Sequence, residues 1–522
     1  MDFLKLKPRR YGQHGQPDRH GQPSEPMNQQ PQFQPSGSTD AQVFPSVSDN
    51  VNYIFSFFHH TQDLKTYPFT LNDTACSVLY LETLVDAEKL DQKLFIPLAH
   101  GSDPDINAFA VDHLPTTMQL EEVTKKLLNG FAIFLLDGEP TARLIEAAAN
   151  FDRSPDEPQN EAIVRGAHIG FVENIAINLN LLRKRTKNRH LYIEHVTLGE
   201  TTNTRVAIAY MKGIANEEVV GNIRSRVASI SSDMVFSPGY FEEFIEDSTF
   251  SPFPQTLYTE RPDRVCANLI EGRIAVFVDG TPTVIIAPVN FFSFYQSPDD
   301  YNSRTLIGSF IRVIRLCSFL IAISLPAFYI AVIGFHFEVL PEGLVLTVKG
   351  AVDRIPYPPL IEALIMELTI ELIREAGLRL PSSIGPTISI VGGLVIGDAI
   401  VKAGLVSNTM IVVVATTAIA SYVVPSNEMS GAVRLLRFPI MLAASAIGFV
   451  GIVFGLMVIF LHLCKLESFG AAYFAPIAPF RWKDLKDSVV RMPVWKLNTR
   501  PLDAHPVKER QQSLSRTWKK RE

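Results

Sequence analysis

Three stretches in the C-terminal part of the chain, Leu316–Phe335, Leu405–Val424 and Phe438–Cys464, run without an Asp, Glu, Lys or Arg. An apolar run of about 20 residues matches the thickness of a hydrocarbon layer when coiled as a helix. In that layer backbone polar groups must be satisfied within the segment, so the stretches are expected to be transmembrane helices. A weaker candidate, 387–403, is glycine-rich and interrupted by Asp398, and spans only by including Lys402 or by packing against protein. Before Leu316 charge is mixed and ordinary, so the two halves of the chain face different solvents.

The basic residues flanking these runs orient them. Arg304, Arg312 and Arg315 precede the first, and Lys465, Arg481, Lys483, Lys486 and Arg491 follow the last, which puts both flanks on the cytoplasmic side. Both flanks on one side require an even number of crossings. Counting 387–403 gives four, with Glu338 to about Pro386 outside and an inner turn at Lys402. The loop Pro425–Arg437 then lies outside despite Arg434 and Arg437. No apolar run follows the basic start of the first 30 residues, so no secretory signal is expected to send the soluble half outside.

With 522 residues the chain exceeds one hydrophobic core. Residues 1–50 are rich in Gln, Pro, Gly, Ser and His and are expected to form a disordered arm, since so few apolar residues cannot offset chain entropy. His14 and His20 are read there as solvated linker. A first soluble subdomain is expected over 51–150, with Glu121–Asn129 helical and Phe131–Leu136 a strand. The proline-bearing linker Phe151–Asn160 leads to a second subdomain over 161–290, then a transmembrane domain over 300–465 and a cytoplasmic tail over 466–522. The fold class is α+β for the soluble half, followed by an all-α membrane domain.

The two subdomains share a local repeat. Lys126–Thr141 reads KLLNGFAIFLLDGEPT and Asn268–Thr283 reads NLIEGRIAVFVDGTPT, so Gly130, Asp137, Gly138, Pro140 and Thr141 recur as Gly272, Asp279, Gly280, Pro282 and Thr283. Each copy reads as a helix end, a glycine C-cap, a buried strand and an Asp-Gly hairpin turn. Either the half is duplicated or two unrelated units share turn chemistry. In both cases these residues serve the backbone, and neither copy has phosphate-loop spacing.

Small residues recur four apart in the apolar runs: Gly393 with Gly397, Ala444 with Gly448, and Gly451 with Gly455. Such spacing lets helices approach closely in lipid. Between the first two runs, Leu360–Ala376 reads as a helix entered through Pro356, Pro358 and Pro359 and closed by Gly377. Glu367, Glu371 and Arg374 fall on one side of it, with Glu375 slightly beyond. This helix either lies at the membrane interface with solvated acids and an internal Glu371–Arg374 pair, or enters the membrane with its charged stripe facing a pore, where an oligomer would make an acidic ring. Asp398 is likewise either functional or interfacial.

A net charge of −6 gives no basic field for nucleic acid. The four cysteines, Cys76, Cys266, Cys317 and Cys464, are far apart and read as reduced packing residues, with no metal-ligand spacing. GxxxxGK[ST], HExxH, GxSxG and CxxC are all lacking, so neither enzyme chemistry nor a cofactor is expected. Asp299 and Asp300, just before the first run, are read as helix caps.

Several blocks resemble the A subunit of the GerA family of spore nutrient receptors: EAIVRGAHIGFVENIAINLNLLRKR from Glu161, SPFPQTLYTERPD from Ser251, QSPDDY from Gln296, the acidic segment, and SFGAAYFAPIAPFRWKDLKDSVVRMP from Ser468. They keep the family's order over 161–493. Ala167 departs from it, standing where the family usually has proline. The resemblance implies a subunit of the spore inner membrane whose soluble half faces the spore core, beside a transporter-like B subunit and a lipoprotein C subunit. It also implies a homo-oligomer in membrane lipid forming a nutrient-gated channel for monovalent cations. Within that frame the residues expected at the pore or gate are Glu367, Glu371, Arg374, Glu375 and Asp398, with hydroxyl-bearing faces at Ser407, Thr409, Thr416 and Thr417. The competing reading is a non-conducting subunit that couples a transporter-like partner to the soluble domains.

Overall fold

The computed structural model describes residues 41–71, 73–100, 113–149, 165–379 and 402–513, with isolated residues between and after these stretches. These all belong to one compact unit, Asp40–Glu522. Helices of eight residues or more are numbered in chain order.

Order begins inside the stretch expected to be an arm. Val43 is buried, Ser46 caps helix α1 (Val47–Phe57), and Asn50 is 1% exposed, its amide donating to the Phe44 carbonyl and accepting from the Phe44 N–H. Val43, Phe44 and Val47 supply the apolar surface that the Gln/Pro tract before them lacks. The first sheet comprises β1 (Leu64–Leu71), β2 (Thr74–Leu81), β3 (Thr116–Thr117), β4 (Phe131–Leu136) and β5 (Ala142–Glu146), antiparallel throughout in the order β1-β2-β4-β5-β3. Helix α2 (Leu120–Leu127) packs with α1 on one face of it. The other face buries Val78, Phe134 and Ile145. A sheet covered on both faces explains why β4 reads as an unbroken apolar run.

The second subdomain holds α3 (Ile175–Arg185), β6 (Leu191–Leu198), β7 (Thr204–Met211), α4 (Glu217–Ala228), α5 (Pro238–Ile245), β8 (Leu257–Thr259), α6 (Pro262–Glu271), β9 (Ile274–Val278) and β10 (Val284–Ala287). Its order, β6-β7-β9-β10-β8, repeats the first sheet strand for strand. The hydrogen bonds repeat too. Asp137 Oδ1 accepts from Val47 N at 3.0 Å and Asp279 Oδ1 from Ile175 N at 3.1 Å, each tying its Asp-Gly turn to the first residue of a helix. The Gly138 and Gly280 N–H groups bond the Pro45 and Glu173 carbonyls, both at 2.9 Å. Turn chemistry shared by accident would not reproduce long-range partners, so the soluble half is an internal duplication. Of the linker expected over 151–160, residues 151–156 and 159 lie outside the described residues.

The helical half opens with α7 (Thr305–Phe335), which contains the first expected span and extends it toward the soluble half. After α8 (Glu342–Val352), α9 (Pro359–Arg379) runs straight through Gly377, where a C-cap was expected. An interior glycine costs a helix only about 1 kcal/mol, and the Glu375–Arg379 pair bridges that turn. The second expected span is the shorter α10 (Asn408–Tyr422), started by Ser407. The third is two helices, not one: α11 (Asn427–Ile447) and α12 (Phe449–Lys465) are folded back on each other at Gly448, whose φ is 61°. A Cβ on Gly451 would lie 2.1 Å from the Ala443 carbonyl oxygen, and one on Gly455 3.2 Å from Ile440 Cγ1. The small residues there pack one arm of this hairpin on the other. Ala444, fully buried, gives its carbonyl to Gly448 N, so that pair makes the turn, and Gly448 packs against Phe335 and His336 at the end of α7. Gly393, Gly397 and Asp398 lie outside the described residues.

Helix directions follow from contacts at the two ends. Helix α7 leaves the soluble half and ends at His336, which stacks on Phe449 at 4.7 Å beside Gly448. Helix α12 returns, and His462 meets Ser251 of the second subdomain at 2.8 Å. The α10–α11 turn carrying Pro425 is therefore on the soluble side, where the sequence reading had it outside. The inner turn expected at Lys402 is corrected as well: Ser407 lies at the level of Tyr329, near the remote end of α7. Arg434 and Arg437 need no outer loop, because they sit on α11 among the other helices. Two described helices, α7 and α11, are long and apolar enough to cross a membrane. On α12, Val450, Val453, Phe454, Val458 and Leu461 are each more than half exposed.

Candidate functional site

Helix α9 is wedged between α7, α10 and α11, and its charges meet a partner at nearly every turn. Glu362, 1% exposed, accepts at Oε1 from both the N–H and the hydroxyl of Ser407, each at 2.6 Å, and at Oε2 from the Tyr329 hydroxyl at 3.3 Å. Glu367 pairs with Arg437; they are 3% and 4% exposed. Arg437 also donates Nε to the Ala322 carbonyl of α7 at 2.9 Å. One turn on, Glu371 pairs with Arg434. Arg374 lays its guanidinium over the Tyr422 ring and donates to Ser421 Oγ at 3.1 Å. Glu375 bonds Arg379 at 2.7 Å, both largely exposed.

These contacts form a ladder that fixes α9 parallel to α10 and antiparallel to α11. Its physical origin is the cost of an unpaired charge away from water, which drives acids on one apolar helix to find bases on another. The Glu371–Arg374 pair expected within the helix is absent, because each residue finds a partner on a neighbouring helix. The four described site residues, Glu367, Glu371, Arg374 and Glu375, thus lie on one ladder, graded from buried to exposed. Of the hydroxyl groups, Ser407 serves Glu362, and Thr416 and Thr417 bond carbonyls of their own helix. The rungs Arg434 and Arg437 were missed as site residues. Their signal was present in the sequence, since two bases three apart on an apolar helix need two acids.

A second group of charges anchors the foot of α7. Arg312, fully buried, donates Nε to Asp300 Oδ2 at 3.2 Å and Nη1 to Asp487 Oδ1 at 3.0 Å, and Arg315 reaches Asp300 Oδ1 at 2.7 Å. Arg491 of the tail donates to the Thr305 hydroxyl at 3.1 Å and the Tyr301 carbonyl at 3.2 Å. Asp300, read from the sequence as a helix cap, forms a capping box with Ser297. Gly308 passes so near the Asp300 carbonyl that a Cβ would come within 2.7 Å. Burial pushes the Asp487 carboxyl up, opposed by the Arg312 guanidinium beside it. The collar joins the second subdomain, the tail and the first long helix, so displacement of one bears on the others. Among the described residues no cluster of His, Cys, Asp and Glu suits a metal, and all four cysteines are free thiols.

The sequence pattern of the Bacillus/Clostridium GerA spore germination proteins matches residues 52–502. Spore germination protein B1 of Bacillus subtilis is 39% identical over 89% of this chain and 98% of its own. Spore germination protein GerLA of Bacillus cereus is 37% identical, with coverages of 82% and 89%. An uncharacterized membrane protein of Bacillus subtilis, YfkQ, is 38% identical over 88% of this chain and 92% of its own. The crystal structure of the N-terminal domain of the A subunit of the Bacillus megaterium spore germinant receptor GerK3 is 29% identical, covers 49% of this chain and 99% of its own, and superposes with a TM-score of 0.38. A match over this much of the chain, at this identity to several spore germination proteins, means that the chain belongs to the Bacillus/Clostridium GerA spore germination protein family.

Proposed function

We propose that this chain is the A subunit of a nutrient germinant receptor in the spore inner membrane, and that copies of it assemble into a gated path for monovalent cations. It would act beside a transporter-like B subunit and a lipoprotein C subunit, with the soluble half and the tail on the core side. The observation that carries the reading is the graded ladder on α9. A protein that only anchored itself in lipid would have no use for six charged side chains on one helix of an apolar bundle, since ionisable groups at that depth are costly and mark ion pathways. Glu367 is buried with Arg437, so the acidic ring narrows to the exposed edge, Glu371 and Glu375, with side chains 45% and 55% exposed. In a ring of subunits that edge would face a water-filled axis and concentrate cations.

A specific observation favours the competing reading, a coupling subunit that conducts nothing: Glu371 and Glu375 each already have an arginine partner, and paired charges can serve packing alone. Conductance decides between them. The receptor reconstituted in planar bilayers is expected to pass potassium on addition of nutrient, with Glu371→Gln and Glu375→Gln lowering cation selectivity and Glu367→Gln lowering the yield of folded protein. No current from the wild-type receptor would leave the coupling reading standing.

A further inference from the structure

A cavity of about 530 Å³ lies between the second subdomain and the C-terminal tail. Its walls include Glu271 and Arg273 at the end of α6, Tyr301 before α7, and Asp487 and Asp503 of the tail. The volume falls in the range of about 300–1,000 Å³ that small-molecule sites occupy.

Two side chains in its wall are withdrawn from water and incompletely bonded. Asp503 is 5% exposed; Oδ2 accepts from Arg273 Nη2 at 2.9 Å and Asn290 Nδ2 at 2.6 Å, while Oδ1 has no hydrogen-bond partner. Arg273 is 3% exposed and donates Nη1 to Ser293 Oγ at 3.0 Å, but Nε stands 3.6 Å from Glu271 Oε2, too long for a hydrogen bond. Glu271, its side chain 27% exposed, has that long contact to Arg273, and partial burial pushes its carboxyl up to about 7 against the pull of Arg273. A buried acceptor without a donor is costly. Glu271 and Asp503 have spare lone pairs and, with Asp487 beside them, outnumber the two guanidinium groups, Arg273 and Arg500, that face Glu271, so they call for further N–H donors and further positive charge. A water molecule supplies the donors without the charge; an ammonium group supplies both.

We propose that this cavity binds a small organic ammonium ion, whose N–H groups bond the free oxygen of Asp503 and the carboxylate of Glu271. The site is independent of the conductance reading. Its wall shares two residues with the collar, since the Tyr301 hydroxyl donates to Asp487 Oδ2 at 2.9 Å and Asp487 holds Arg312. Occupancy would therefore stiffen the foot of α7.

The test is thermal unfolding of the full-length chain in detergent, titrated with methylammonium and 1,4-diaminobutane chlorides against sodium and tetramethylammonium chlorides at matched ionic strength. Tetramethylammonium carries the charge but no N–H donor. The two N–H-bearing salts are expected to raise the melting temperature saturably, and more strongly at pH 8 than at pH 6. Glu271 loses its proton across that interval, with Arg273, Asp487, Asp503 and Arg500 the charged groups that face it. Glu271→Gln should weaken the apparent affinity about 10-fold, the loss of one charge-assisted hydrogen bond, and leave the unliganded melting temperature unchanged or raised. Asp503→Asn should abolish the shift; should that variant fail to fold, Glu271→Gln decides alone. Equal shifts from all four salts, no saturable shift, which would mean ordered water only, or an unaltered response in Glu271→Gln would overturn the proposal.

Discussion

Arg183 of α3 reaches across the seam between the two soluble subdomains and closes on Asp63, donating Nη2 to both carboxylate oxygens at 2.8 Å, with neither side chain exposed at all. Asp63 also accepts from the Thr61 hydroxyl at 2.6 Å and the Thr83 hydroxyl at 2.8 Å, and Arg183 Nη1 donates to the Leu191 carbonyl at 3.0 Å. The pair is fully satisfied, so it sets the relative position of the two copies of the duplicated unit.

Asp63→Asn is expected to cost about 3–5 kcal/mol, the penalty for stranding one partner of a buried ion pair. Hydrogen exchange on the full-length chain should show loss of protection concentrated in β1, β6 and α3. Protection unchanged along the seam would mean that apolar packing alone holds the subdomains.

The same seam carries a pH dependence. His59 Nε2 and His190 Nδ1 share one hydrogen bond at 2.9 Å with their rings stacked, so only one of the two nitrogens holds a proton. Burial comes first in holding both imidazoles below their usual range; at His59 the charges of Arg189, Lys212 and His60 add to it, and at His190 those of His59, Arg189 and Lys508. A histidine whose folded pKa is depressed contributes stability that is present above the unfolded value, about 6.5, and is lost as pH falls through the folded value. Exchange protection around His59 and His190 should fall as pH drops from about 7 to 5, and His59→Gln should flatten that dependence.

The duplication makes a paired prediction. Asp137→Ala and Asp279→Ala each remove an acceptor from the first N–H of a helix, and loss of such a cap costs about 0.5–2 kcal/mol. Amide protection should drop in α1 for the first variant and in α3 for the second, with little cross-effect. A change that spread over both subdomains would show that the turn aspartates do more than cap.

Much of this was legible in the sequence where the signal was local. The FAIFLL strand, its Asp-Gly turn and the repeat in IAVFVDG need only neighbours in the chain. The apolar runs were legible because lipid-compatible length is local as well. The break at Gly448 was not, since a turn at the remote end of a helical hairpin needs no polar residue and leaves the run from Phe438 to Cys464 uninterrupted. The partners of the acidic helix were hidden for another reason: Glu367 and Arg437 are 70 positions apart, and periodicity on α9 gives the face of the glutamate but not what covers it.

That pair supports the last prediction. Glu367 Oε1 and Arg437 Nη2 have no hydrogen-bond partner, so this rung is held by its mutual attraction and the Ala322 carbonyl with little to spare. Either Glu367→Gln or Arg437→Met leaves the other charge buried and unpaired, and each is expected to cost about 3–5 kcal/mol of stability in detergent. The double variant removes both desolvation costs and replaces the bridge with packing, so it should recover most of the loss and not sum the two. A double variant as unstable as the sum would show the two residues acting independently, and the ladder would then not be what fixes α9 between α7 and α11.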